Sequence, residues 1–143
     1  MYSFICNDCP RGCGAYRDET RGEGFCSCPS LPVVARAAPH FGEEPCISGE
    51  RGSGTVFFSG CNLGCVFCQN IAISRRPAGK MMSARELSEC FLRLQDLKVH
   101  NINLVTGTPY AGIIAEALDM AKPDIPVVWN SSDYIVLCNF AQY

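Results

Sequence analysis

The 143-residue sequence has no long apolar run and little excess charge. No stretch approaches the roughly 18 consecutive apolar residues of a membrane-spanning helix, and the opening residues MYSFICNDCPRG lack the apolar segment of a signal peptide. We therefore expect a cytoplasmic protein with no membrane partner. The net charge of −2 gives no general attraction to polyanions, so we also expect no nucleic-acid partner.

Histidine is scarce and cysteine is abundant. The chain has two histidines and eleven cysteines. Without an export signal, an odd and dense set of cysteines indicates metal ligands and core thiols rather than disulfides.

The most informative stretch is CNLGCVFC, residues 61–68, which follows the apolar run of residues 55–58. Thiolates are soft ligands that suit iron–sulfur clusters and zinc. A closed zinc site or a ferredoxin cluster uses four protein ligands, whereas this loop has three cysteines and no histidine. A cubane on Cys61, Cys65 and Cys68 leaves one iron open to a small molecule. A zinc knuckle is the alternative interpretation.

A second group of cysteines lies in residues 1–54, which are rich in glycine and proline and are predicted to be mostly loops. Cys6, Cys9 and Cys13 occur in CNDCPRGC, and Cys26 and Cys28 follow in GFCSC. Four of these five residues can form a tetrathiolate site, which often stabilises a segment with a small core. Zinc and a second iron–sulfur cluster are both compatible with four thiolates.

From residue 55 onward, strand and helix patterns alternate. Strands are predicted at residues 55–59, 101–106 and 125–129. A capping box at Ser83 starts one helix, whose apolar stripe includes Leu97, and Thr108 with Pro109 is expected to cap the next. Such alternation predicts an α/β fold with parallel βα units.

Ligands bind at the carboxyl ends of such strands. The loops expected there are the cysteine loop and two small polar segments. The residues predicted to face a ligand over the cluster are Thr106, Thr108, Asn130 and Ser131.

The CxxxCxxC spacing, with Phe67 before the last cysteine, resembles the cluster loop of the radical S-adenosylmethionine (SAM) superfamily. The flanking GSGTVFFSG and the residues from Gln69 and Asn70 onward resemble the pyruvate formate-lyase activating enzyme-like branch. The resemblance implies a partial, incomplete TIM-type barrel that carries a [4Fe–4S] cluster and SAM. It also implies cofactor contacts from Phe67, Gln69, Asn70, Thr106, Thr108, Asn130 and Ser131.

The activity implied is that of an oxidoreductase that cleaves SAM reductively, giving a 5′-deoxyadenosyl radical for hydrogen abstraction. A glycyl-radical enzyme is the protein substrate that the branch suggests, and flavodoxin or ferredoxin is the expected reductant. N-terminal CPRxCG segments occur in similar proteins, and Cys28 is extra relative to them. Cys26 is therefore the predicted fourth ligand beside Cys6, Cys9 and Cys13.

Two regions are expected: a Cys-rich segment at residues 1–54, and the N-terminal part of the barrel, about three βα units, at residues 55–143. The family core usually has six such units, so the chain is expected to be truncated at its C-terminus. The tail at residues 135–143, with Cys138, does not resemble the family. A truncated, non-catalytic iron–sulfur or zinc-binding module is therefore the alternative function, and binding of SAM distinguishes it from the enzyme.

Overall fold

The main sheet has five strands in the computed structural model, which describes residues 3–132. Its strands are β3 (Val33–His40), β4 (Ser53–Phe58), β5 (Lys80–Met81), β6 (Ile102–Val105) and β7 (Val127–Asn130), and their order across the sheet is β5-β3-β4-β6-β7. Strands β4, β6 and β7 run parallel, and β3 is antiparallel to both β4 and β5.

The three predicted strands are present and pair in parallel, but the sheet as a whole is mixed. The prediction that residues 1–54 are mostly loops missed β3, which pairs antiparallel along β4 beside the predicted parallel strands. Its sequence, VVARAAPH, has a proline near its end and no clear alternation, so its pairing depends on the neighbouring strand. The fold is thus mixed α/β.

Within residues 3–132, four α-helices accompany the sheet, two of them a single turn long. They are α1 (Pro45–Ser48), α2 (Ile71–Ser74), α3 (Ala84–Asp96) and α4 (Ala111–Ala121). The capping box predicted for α3 is confirmed: the Glu86 N–H donates to Ser83 Oγ at 3.3 Å, and Glu86 accepts from the Ser83 N–H at 2.9 Å. That second hydrogen bond is the main cause that lowers the pKa of Glu86 to about 2.

The predicted helix cap at Thr108 is wrong. Thr108 begins a 3₁₀ turn (Thr108–Tyr110), and its buried side chain caps neither that turn nor α4, which starts at Ala111. Leu97, assigned to the apolar stripe of α3, follows the last residue of that helix and is 60% exposed. In both cases the predicted helix end differs from the observed one, and helix ends are where local sequence signals are weakest.

The hydrophobic core lies between one face of the sheet and the helices α3 and α4. Val56 and Leu104 are register partners on that face, and both are fully buried. The helices contribute core side chains that include Leu87, Cys90, Phe91, Leu94, Ile114 and Ala117. Cys90 is therefore a core thiol. No helix in residues 3–132 has the length and apolar character needed to span a membrane.

The N-terminal cysteines sit on a small hairpin rather than on loops alone. Strand β1 (Phe4–Cys6) pairs antiparallel with β2 (Ala15–Arg17), and CNDCPRGC forms the connection from the end of β1. Cys6 therefore lies at the end of β1, and Cys9 and Cys13 lie in the connection to β2. A hydrogen bond from Gly12 N to Cys9 O, at 3.0 Å, closes a turn within this connection.

Candidate metal centre

The cysteine loop leaves the carboxyl end of β4, and its two ends are tied together. Ser59 Oγ donates to Ile73 O at 2.9 Å, and Gly60 N donates to the same carbonyl at 2.8 Å. The Tyr110 hydroxyl donates to Ser59 O at 2.8 Å from the segment that follows β6. The loop is therefore anchored to the strand end that the sequence predicts.

The three loop thiols are free and partly exposed. Between Cys65 and Cys68, Val66 and Phe67 project outward, with Phe67 84% exposed. No group of three His, Cys, Asp or Glu side chains in residues 3–132 is already assembled for a metal ion. The donor set is three thiols on an accessible loop, which fits a cluster that keeps one iron for another ligand.

Two arginines contact the backbone of this loop. Arg11 donates to Asn62 O through Nε and to Leu63 O through Nη2, the latter at 3.1 Å. Arg75 Nη2 donates to Cys65 O at 3.4 Å. These hydrogen bonds orient loop carbonyls toward positive charge.

The segment after β6 lies against the cysteine loop. Pro109 and Asn62 line the same cavity, and Tyr110 bonds to Ser59. Thr106 has a φ of +62°, which a β-branched residue rarely adopts, and its N–H donates to Asn130 O at 3.0 Å. The structure thus joins two of the predicted polar positions at one edge of the sheet.

The other predicted cofactor contacts occupy different surroundings. Thr108 is buried, whereas Gln69 and Asn70 are exposed at the end of the cysteine loop. Asn70 precedes α2, and its carbonyl accepts from Ser74 N at 2.9 Å. Asn130 and Ser131 line a cavity of about 300 Å³ on the sheet face away from the core.

Asn103 lines the same cavity and was not predicted to be a site residue. Its side chain is fully buried, and neither amide atom has a hydrogen-bond partner among the described residues. A buried amide without a partner costs about 1–3 kcal/mol, so this position favours a polar group from outside residues 3–132. The signal in the sequence is an asparagine inside the strand INLV.

The four N-terminal cysteines selected from the sequence line one small cavity. Cys6, Cys9, Cys13 and Cys26 surround a space of about 20 Å³, with Asn62 of the cysteine loop in its wall. Cys28 is instead fully buried in the hydrophobic core, with its Sγ 3.8 Å from Ser59 O.

Arg17 borders this cavity and was also not predicted. It is 2% exposed, and its Nη1 donates to Cys6 Sγ at 3.4 Å and lies 3.5 Å from the Asp8 carboxylate. Its Nε donates to Pro29 O at 3.2 Å, and its guanidinium lies over the rings of Phe4 and Tyr110.

The thiols of this region differ in pKa because their surroundings differ. A hydrogen bond from Cys28 lowers the pKa of Cys26 to about 6, and the same pairing together with burial raises the pKa of Cys28 well above its usual range. Burial raises the pKa of Cys6 and that of Tyr110. Cys26 is therefore more readily ionised at neutral pH than Cys6 or Cys28.

Comparison with known proteins identifies the family. The model of the radical SAM superfamily matches residues 55–138, more than half of the chain, so the chain belongs to that superfamily. The match spans the cysteine loop and the three parallel strands. Proteins of this superfamily bind a [4Fe–4S] cluster and SAM, and this chain is a radical SAM iron–sulfur protein.

An uncharacterized protein of Methanocaldococcus jannaschii is 33% identical over 141 residues. The alignment covers 92% of this chain and 40% of that protein, so the chain spans well under half of its relative's length. No solved structure matches the chain significantly.

Proposed function

We propose that the chain is the N-terminal part of a radical SAM oxidoreductase of the pyruvate formate-lyase activating enzyme-like branch. Cys61, Cys65 and Cys68 would hold the [4Fe–4S] cluster. The observation that carries this proposal is the three-thiol loop anchored at the carboxyl end of β4 and packed beside the segment after β6. When bound, the cluster and SAM supply reductive cleavage of the sulfonium and a 5′-deoxyadenosyl radical for hydrogen abstraction.

We assign the SAM contacts to the polar edge of the parallel strands. Thr106 holds a strained backbone at this edge and is bonded to Asn130, which supports a role in ligand positioning. Ser131 continues the same edge, and Thr108 supports it from its buried position. Phe67, Gln69 and Asn70 are accessible beside the proposed cluster ligands and would contact the cofactors from the loop side.

We propose that the open sheet is part of an incomplete TIM-type barrel, with residues 1–54 as a Cys-rich segment and residues 55–143 as the first βα units. The cavity face with its buried Asn103 supports this, since the remaining length of a longer protein would cover that face. A glycyl-radical enzyme as protein substrate, flavodoxin or ferredoxin as reductant, and a cytoplasmic location remain parts of the proposal.

Thr106→Gly tests the SAM site and separates function from folding. Removing the side chain deletes a hydrogen bond to the ligand, so SAM cleavage by the reduced, cluster-loaded chain should fall by about tenfold. Glycine adopts a φ of +62° without strain, so the free energy of unfolding should not decrease. Production of 5′-deoxyadenosine, measured by chromatography, and urea unfolding give the two readouts.

Lys98→Gly is the matched control, because Lys98 has a φ of +61° just beyond α3 and lies outside the proposed SAM edge. It should relieve the same strain and leave SAM cleavage unchanged. Equal loss of SAM cleavage in both variants would show that the Thr106 side chain does not contribute specifically to the SAM site. An unaltered chain that produces no 5′-deoxyadenosine would support the non-catalytic module instead.

A further inference from the structure

We propose that Cys6, Cys9, Cys13 and Cys26 bind a single zinc ion, and that this zinc site holds the cysteine loop of residues 61–68 in position. The zinc site itself does not depend on SAM chemistry. Its effect on the loop rests on the function proposed above.

The hairpin and the segment after it bring the four thiols to one cavity. Cys6 ends β1, and Cys9 and Cys13 occupy the connection to β2. The absence of a side chain at Gly24 lets Cys13 pack close to it, since a Cβ at Gly24 would lie 3.2 Å from Cys13 Sγ. Cys26 completes the lining, whereas Cys28 belongs to the core and is not a ligand.

The size of this cavity favours one ion over a cluster. A space of about 20 Å³ is close to the roughly 10–15 Å³ that a single water molecule occupies on this measure. The thiols do not yet form an assembled metal-binding group, and the space between them as they stand is smaller than a cubane of four irons and four sulfides. Four thiolates around one ion form the tetrahedral arrangement typical of structural zinc, and loading would draw the thiols together as it does in small zinc-dependent segments.

The charge around the cavity fits such a site. Zinc bound by four thiolates carries a net charge of −2, and the buried guanidinium of Arg17 offsets part of it. Arg17 already donates to Cys6 Sγ, which is the hydrogen bond that outer residues commonly make to a metal-bound thiolate. The Asp8 carboxylate also lines the cavity, lies 3.5 Å from Arg17 Nη1 and belongs to a side chain that is 37% exposed.

Residues next to the proposed ligands contact the cysteine loop directly. Arg11, between Cys9 and Cys13, donates to the carbonyls of Asn62 and Leu63. Phe25, next to Cys26, lies 3.6 Å beneath the Arg11 guanidinium.

The ring of Phe25 also approaches the loop at Gly64. A Cβ at Gly64 would lie 2.8 Å from both the Phe25 ring and Arg75 Nη1, so a larger residue there would displace these side chains. Zinc that fixes the cysteines beside Arg11 and Phe25 would thereby fix the backbone of residues 62–64.

The test uses the Cys61→Ser/Cys65→Ser/Cys68→Ser variant of the whole chain, which removes the three thiols of the cysteine loop as metal ligands. Elemental analysis should find one zinc per chain without iron or acid-labile sulfide. Adding Cys9→Ala should lower bound zinc at least about tenfold, whereas Cys46→Ala, at an exposed cysteine, should not change it. Iron in place of zinc, or zinc that is insensitive to Cys9→Ala, would overturn the assignment.

Two further measurements test the charge and the coupling. Arg17→Met should weaken zinc binding by roughly 10–100-fold in competition with a chromophoric chelator. Arg11→Gln should retain zinc yet accelerate amide hydrogen exchange in residues 61–64, as should removal of zinc from the parent variant. Exchange that is unchanged by both alterations would refute the positioning role. Because none of these readouts uses SAM, failure of the SAM proposal would leave them interpretable.

Discussion

Replacing Cys61, Cys65 or Cys68 singly by alanine will abolish the [4Fe–4S] cluster in the anaerobically reconstituted chain. Each cysteine would bind one iron, and this loop has no fourth thiol or histidine to substitute for a lost ligand. Iron and acid-labile sulfide at this site should fall to background, with loss of the visible charge-transfer absorption and of all SAM cleavage.

Cys46→Ala provides the matched control, because Cys46 is an exposed free thiol on α1 and belongs to neither group of proposed ligands. It should retain the iron, the sulfide and the SAM cleavage of the parent chain. A single Cys61, Cys65 or Cys68 variant that kept a full cluster and full cleavage would show that the cluster ligands lie elsewhere.

Gly60→Ala will destabilise the fold by about 2–4 kcal/mol, because it combines backbone strain with a steric clash. Gly60 has a φ of +85°, and a Cβ there would lie 2.3 Å from Cys28 Sγ and 3.1 Å from Cys26 O. The position is where the N-terminal segment packs against the exit of β4. Urea unfolding under reducing conditions, with constant metal, measures the change.

A double-mutant cycle with Cys28→Ala separates the two causes. Removing Sγ should recover part of the loss, giving a coupling energy of roughly 0.5–3 kcal/mol, while the strain at φ +85° remains. Gly112→Ala is the control, because Gly112 lies in α4 with open space around its Cβ position. It should stabilise the protein by about 0.5–1 kcal/mol. Additive effects of Gly60→Ala and Cys28→Ala would contradict the packing described here.

Elements specified by local signals were predictable from the sequence. The capping box at Ser83 and the apolar spacing of Leu87 and Phe91 indicate α3, because these contacts lie within one helix and its core face. The β-branched and aromatic residues of β4 and β6 indicate these strands, because strand propensity is also a local signal. The spacing of residues 61–68 also pointed to the superfamily that the comparison confirms.

Features that depend on distant residues were not predictable. Strand β3 forms because β4 pairs with it, and nothing in VVARAAPH itself requires a strand. The burial of Arg17 depends on Pro29 and Tyr110, and that of Asn103 depends on the surrounding sheet. The strained backbone of Thr106 likewise follows from the way the segment after β6 turns across the sheet edge.

The assignment of Cys26 rather than Cys28 as the fourth N-terminal ligand remains a prediction that the packing supports. The two thiols are two residues apart, and their spacing alone does not distinguish them. The structure differs at the two positions: Cys26 lines the small cavity, whereas Cys28 lies in the core against Ser59.

The most direct test of the proposed function is the electron paramagnetic resonance spectrum of the reconstituted, dithionite-reduced chain, recorded with and without SAM. We predict a reduced [4Fe–4S] signal whose g-values shift when SAM is added, because three cysteine ligands leave one iron available to it. A cluster signal that is unchanged by saturating SAM would contradict the account. It would then assign residues 55–138 to a cluster-binding module without a functional cosubstrate site.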